Sequence, residues 1–188
     1  MGELSGLVWV GRFPGSRRTS DLAPSFKTAA EGFIDALRAA GAIVLISSTF
    51  RPPERAYLMH HAWRIAREDL DPATVPVMPG VDIEWIHKTA GGVPDAATSR
   101  RVADQMVGFA GYNMVHRAAL TSRHTEKRAI DMDVSWTGNL AIETKDGSMV
   151  TIITTPRDGM NAQLHEVGAM YGIIKLLSDP PHWSDDGH

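Results

Sequence analysis

Two short segments of the sequence carry residues that could bind a metal ion. The first contains His124 and Asp131, seven positions apart. The second lies near the C-terminus, where Asp179 and His182 supply another carboxylate and another imidazole. Two imidazoles and one carboxylate form a sufficient ligand set for a catalytic zinc ion, because three protein ligands leave one coordination position for water. The remaining carboxylate would be available as a base, so the working hypothesis is a zinc hydrolase.

The residues around these groups resemble a known signature. The segment 122–131 is similar to the Ser-x-His-x-x-Gly-x-Ala-x-Asp signature of the LAS-type zinc peptidases, and Ser122, His124, Ala129 and Asp131 match it. The family includes D-alanyl-D-alanine carboxypeptidases and dipeptidases of the VanY and VanX kind, and phage L-alanyl-D-glutamate endopeptidases. Its late Glu/Asp-x-x-His-Trp segment resembles residues 179–183.

A third match and one departure complete the resemblance. Arg51 stands where the family has an arginine after its first core strand, and the three matches occur in the family's order over roughly residues 43–183. Lys127 stands where the family usually has glycine. Glycine at such a position permits backbone angles that lysine adopts only at a cost.

The resemblance implies a role for each matched residue. His124, Asp131 and His182 would hold one Zn²⁺ per chain, and Asp179 would be the general base. Arg51 would stabilise negative charge on the oxyanion, because a guanidinium stays protonated at any working pH. Ser122 would orient the substrate or the first ligand.

The same resemblance implies the substrate class. The family cleaves amide bonds beside D-amino acids in peptidoglycan stem peptides, and several of its phage endopeptidases carry aspartate as the base. Asp179 therefore favours an L-Ala-D-Glu endopeptidase over the alternative, a D-alanyl-D-alanine carboxypeptidase. A second alternative is a non-catalytic zinc-containing binding module, as in the hedgehog signalling domains, which have this fold.

Composition excludes several other classes of site and partner. The chain has 188 residues, a net charge of -3 and no cysteine. The absence of cysteine rules out disulfides, thiolate metal sites and a cysteine nucleophile. The charge gives no reason to expect nucleic acid or a membrane surface as a partner, and no apolar run approaches the ~20 residues of a membrane span. We expect a monomer.

The first residues do not match a secretory leader, because the apolar run from Leu4 to Val10 is short and no basic residue precedes it. We therefore expect synthesis in the bacterial cytoplasm and delivery to the cell wall by another system, either phage lysis or a secretion machine.

Hydrophobic periodicity predicts a single α+β domain over residues 1–188, with a small, mainly antiparallel sheet and helices on one side of it. The resemblance implies the same architecture, with the zinc site on the sheet. Residues 1–24 are expected to be an irregular arm, with a short edge strand at 7–10. Alternation over residues 129–136 places Asp131 and Asp133 on one face of a strand and leaves the role of Asp133 open. The expected helices span residues 24–40, 52–68, 95–109 and 161–171, and further strands are expected at 42–48, 140–144, 149–154 and 172–177.

Overall fold

A computed structural model describes residues 2–188 and confirms the α+β fold class. Within these residues the α-helices are α1 (Pro24–Ala39), α2 (Pro53–Arg67), α3 (Ala96–Val107) and α4 (Ala162–Tyr171). The strands are β1 (Glu3–Leu4), β2 (Ile43–Ser48), β3 (Ile83–Glu84), β4 (Ala129–Ser135), β5 (Leu140–Glu143), β6 (Met149–Ile152), β7 (Ile174–Lys175) and β8 (His182–Ser184). No helix within residues 2–188 has the length and apolar character needed to cross a bilayer.

The chain forms two compact units. The first comprises the N-terminal residues through Pro14 together with residues 52–121, and the second comprises residues 15–51 and 122–188. The predicted N-terminal arm is therefore shared between the two units, with its break at Pro14. The single domain expected over residues 1–188 stays a prediction.

The second unit is built on a four-stranded antiparallel sheet with the strand order β2-β4-β8-β7. Along β4 the side chains of Ile130, Met132 and Val134 are almost completely buried, whereas Asp133 is exposed on the opposite face. This is the alternation expected for a strand that covers a core on one face only. Strands β5 and β6 form the predicted hairpin beside this sheet.

Helices α1 and α4 cover the apolar face of the sheet. Phe33 of α1 packs on Trp183 of β8, with ring centroids 5.5 Å apart, and both side chains have 0% exposure. Gly168 of α4 allows this approach, because a Cβ atom there would lie 2.9 Å from the Trp183 ring. The helices of this unit thus lie on one side of the sheet, as predicted, and the opposite face is left for the site.

The first unit contains α2 and α3 together with the two-residue strands β1 and β3, which pair in parallel. The strand predicted at residues 7–10 is wrong, because Leu7–Trp9 is a single turn of 3-10 helix. This turn places the Trp9 side chain, which is 3% exposed, in the core of the unit, and the indole donates a hydrogen bond to the Leu4 carbonyl oxygen. In a β-strand, successive side chains of residues 7–10 would instead point to opposite faces.

Candidate metal centre

Strand pairing brings Asp131 and His182 together. The two residues are direct partners in the antiparallel pair of β4 and β8. Partners across such a pair project from the same face, so both side chains lie on the face opposite the helices. On the other side of β4, the register shifts between Ile46 and Ser48 of β2, beside Asp131. Irregularities of this kind bend a strand locally and are common next to functional sites.

A tight turn before β4 delivers His124. The N–H groups of Thr125 and Glu126 both donate to the Ser122 carbonyl oxygen, which closes the chain on itself after the histidine. Lys127 then adopts a left-handed conformation with φ of 63°. Lys127 therefore has a backbone conformation that glycine adopts more readily than any residue with a side chain.

Three acceptor atoms converge at the centre of the site. The Nε2 atom of His124 lies 3.0 Å from Asp131 Oδ1 and 3.2 Å from His182 Nδ1, and His182 Nδ1 lies 3.1 Å from the same carboxylate oxygen. Both imidazoles are buried, with 3% exposure for His124 and 6% for His182. The metal-ligand set expected from the sequence is therefore assembled in space.

The outer nitrogen of each imidazole faces a backbone carbonyl. His124 Nδ1 lies 3.2 Å from the Thr49 carbonyl oxygen, and His182 Nε2 lies 3.1 Å from the His188 carbonyl oxygen. A carbonyl oxygen only accepts, so in the neutral form of each ring the hydrogen lies on the outer nitrogen. The lone pairs of the two inner nitrogens then point to the centre, which is the arrangement found when histidine binds a metal.

The carboxylate of Asp131 is held in its charged form. Burial opposes ionisation, but the hydrogen bonds and charges that His124 and His182 offer when their rings are protonated outweigh it and keep the pKa of Asp131 well below its usual range. An ionised carboxylate is the form that binds a cation.

The spacing of the three atoms fits a small divalent metal ion. In a tetrahedral zinc site with bonds of roughly 2.0–2.1 Å, neighbouring ligand atoms are separated by about 3.3 Å. The observed separations are 3.0, 3.1 and 3.2 Å. Without a cation, three acceptor atoms face one another with too few hydrogens to form hydrogen bonds between all of them. A bound cation would satisfy all three. The group formed by His124, Asp131 and His182 could therefore bind a metal ion.

Arg51 lies next to the first of these ligands. Its backbone N–H donates to the His124 carbonyl oxygen at 3.2 Å, three residues after the end of β2. The side chain is partly buried. The strand and the turn therefore hold the Arg51 backbone beside the histidine.

Asp179 lies on the loop between β7 and β8 and does not belong to the group of three ligand atoms. Its residue is exposed, and its backbone carbonyl accepts the N–H of His182 at 3.0 Å. The loop therefore fixes the main chain of Asp179 to that of His182, while the carboxylate remains accessible to water.

Ser122 begins the turn that carries His124. Its N–H donates to Thr125 Oγ1 at 2.9 Å, and its carbonyl accepts the Thr125 hydroxyl at 2.7 Å. The Ser122 hydroxyl oxygen itself is buried and has no hydrogen-bond partner within residues 2–188.

Several contributors to the site were not predicted. The carbonyl groups of Thr49 and His188 orient the two histidines, and because they are backbone atoms, no residue type marks them. Lys175 is different, since it is a charged residue within the aliphatic run 173–177. A lysine in such a run signals a buried ammonium group that must find polar partners.

Comparisons with protein families, curated proteins and solved structures gave no match for this chain. The residues of the site are therefore the basis for a functional proposal.

Proposed function

We propose that this protein is a zinc-dependent peptidase of the LAS type that hydrolyses amide bonds in peptidoglycan stem peptides. The observation that carries the proposal is the convergence of His124 Nε2, His182 Nδ1 and Asp131 Oδ1 within 3.2 Å of one another. These are the residues to which the sequence signature assigns the metal. Arg51 adds support, because it stands at the sequence position where the family has an arginine and its backbone lies beside His124.

Zinc is the proposed metal because two histidines and one carboxylate are a donor set typical of catalytic zinc. When bound, the ion supplies Lewis acidity and makes a water molecule nucleophilic near neutral pH. The protein's contribution begins with orientation. Hydrogen bonds to the Thr49 and His188 carbonyls fix both imidazole rings, and outer contacts of this kind sustain metal affinity.

The proposed acid–base and electrostatic groups are Asp179 and Arg51. Asp179 takes a proton from the attacking water and passes it to the leaving amine, a role that requires a carboxylate in contact with solvent. Arg51 stabilises the negative charge that develops on the carbonyl oxygen of the cleaved bond. Ser122 has the role of orienting the substrate or the first ligand, His124, whose turn it begins.

The bond between L-alanine and D-glutamate is the proposed cleavage site, because aspartate rather than glutamate occupies the position of the base. Release of D-alanine from the end of the stem peptide is the second candidate. A binding module without activity is the third, and it is disfavoured because both Asp179 and Arg51 are present.

Digestion of purified peptidoglycan, followed by mass spectrometry of the products, tests the proposal. An endopeptidase exposes the amine of D-glutamate and leaves L-alanine on the glycan, whereas a carboxypeptidase releases free D-alanine. The chelated protein and the His182→Ala variant serve as controls. Sedimentation with peptidoglycan without any cleavage would identify a binding module and overturn the proposed activity.

A further inference from the structure

Lys175 is a buried charge with no part in the proposed chemistry. It lies on β7, opposite Trp183 of β8, and is 7% exposed. An ammonium group removed from water is costly unless each of its hydrogens finds an acceptor. The side chain must therefore have a strong set of partners.

Those partners are three backbone carbonyl oxygens of one loop. The ammonium Nζ lies 2.6 Å from the Leu176 oxygen, 2.6 Å from the Asp179 oxygen and 3.0 Å from the His182 oxygen. An ammonium group has three hydrogens, so all of its donors are used. The loop between β7 and β8 thus folds its carbonyls around a cation that the chain itself supplies.

The residues in contact with Lys175 include two of functional interest. Asp179 is the proposed base and His182 is a proposed metal ligand. The Asp179 carbonyl also accepts the His182 N–H, so the ammonium joins two residues that already share a hydrogen bond. Charge-assisted hydrogen bonds of this kind are stronger than those between neutral groups. The loop therefore has little freedom to change the distance between Asp179 and His182.

We propose that Lys175 is a positioning residue, whose ammonium group holds the loop 176–182 in the conformation that presents His182 to the metal and Asp179 to the substrate. The proposal deepens the proposed function and rests on its metal centre. It concerns the backbone of the loop, and Lys175 itself contacts neither substrate nor metal.

The affinity for Zn²⁺, measured by competition with a chromogenic chelator, tests this inference. Lys175→Met keeps the aliphatic length but leaves three carbonyls without their donor. We expect its zinc affinity to fall by roughly 10–100-fold, the range seen when outer contacts of metal ligands are lost. Lys175→Arg keeps the charge but has a planar fork that does not match three converging carbonyls, so its affinity should fall as well.

The alternatives give different results. If Lys175 acted only through its positive charge, which repels a cation, Lys175→Met would bind zinc more tightly. Lys175→Arg, which keeps the charge, would then have the zinc affinity of the wild-type protein. If it only stabilised the fold, Lys175→Met would lower the unfolding midpoint and bind zinc no more weakly than Ile142→Ala. That control removes a completely buried side chain from the core of the same unit. Either result would overturn the inference.

Hydrogen exchange of the loop gives a second readout. In Lys175→Met, the amide of His182 should exchange faster, while amides of β5 and β6, which pair only with each other, should be unchanged. If Lys175→Met does not fold, zinc affinity and hydrogen exchange are both measured on Lys175→Arg. A zinc affinity of that variant equal to the wild-type value would contradict the inference. Normal zinc binding by the Lys175 variants would leave the proposed function intact, whereas failure of the wild-type protein to bind zinc would overturn both.

Discussion

The backbone N–H of Arg51 donates a hydrogen bond to the carbonyl oxygen of His124. A second contact runs in the opposite direction, because the His124 ring faces the Thr49 carbonyl oxygen. Together they join the segment after β2 to the turn that bears the first metal ligand. The same few residues therefore orient the imidazole and fix the arginine backbone, which gives the proposed oxyanion partner a defined place relative to the metal centre.

Removal of the carboxylate charge at position 179 tests the general base. Asp179→Asn should keep the zinc content of the wild-type protein and lower turnover by roughly 10²–10⁴-fold, the usual contribution of a general base. Asp133→Asn is the matched control, because Asp133 is an exposed carboxylate on β4 and should retain near-normal turnover. Full activity of Asp179→Asn would mean that another group is the base, with Asp133 and Glu126 the next to test.

Replacement of Arg51 separates catalysis from substrate binding. A group that stabilises charge in the transition state affects kcat, whereas one that only grips the substrate affects KM. We expect Arg51→Ala to lower kcat by at least ~10²-fold and Arg51→Lys to recover little of it. Arg38→Ala, at an exposed position on α1, is the control.

Steady-state kinetics on a defined stem peptide provide the measurement for Arg51. An Arg51→Ala variant with normal kcat and a raised KM would assign Arg51 to substrate binding. That outcome would also favour the carboxypeptidase, because its substrate presents a free carboxylate beside the cleaved bond.

The sequence was sufficient to predict most elements of the second unit. Helical periodicity and an end signal at Gly41 gave α1 to within one residue, and alternation along 129–136 gave β4 with Asp131 on the face away from the core. Local patterns of this kind follow from burial on one face, so they can be read without the rest of the fold.

Features that depend on strand pairing could not be read in this way. The register that places His182 opposite Asp131 joins residues 51 positions apart, and the irregularity at Ser47 has no local signal. Strand β8 has only three residues, too few for a pattern to be visible. The strand predicted at residues 7–10 was wrong because burial of Trp9 outweighed the strand propensity of its neighbours.

Lys127 offers a test of the turn that carries His124. A residue with a Cβ atom is strained in the left-handed conformation, and glycine is not. The ammonium group also lies 4.8 Å from the centroid of the Phe50 ring, a contact that any truncation removes. We therefore expect Lys127→Gly to be more stable than Lys127→Ala by about 1 kcal/mol in denaturant unfolding. Equal stability of the two variants would contradict a left-handed Lys127.

His61 of α2 should make stability depend on pH. Burial lowers its pKa from 6.5 to about 4, and the charges of His60 and Arg64 act in the same direction. Neither ring nitrogen has a hydrogen-bond partner within residues 2–188. The unfolded chain therefore takes up a proton near pH 6.5 while the folded chain stays neutral, so acidification favours unfolding.

The stabilising contribution of neutral His61 is complete above pH 6.5 and is lost as the pH falls towards 4. Over that window, the free energy of unfolding of the wild-type protein should fall more steeply than that of His61→Phe, by up to about 1.4 kcal/mol per pH unit. Urea unfolding of both proteins with zinc chelated provides the comparison. Parallel pH profiles would show that His61 is protonated in the folded protein.

Metal analysis of the purified protein tests the central claim most directly. Elemental analysis after dialysis should find about one zinc per chain in the wild-type protein, as three converging protein ligands require. His182→Ala and Asp131→Ala should lose that zinc, whereas His165→Ala should keep it, because His165 bonds to the Gly159 carbonyl outside the group of ligands. A folded wild-type protein that binds no stoichiometric metal would contradict the account.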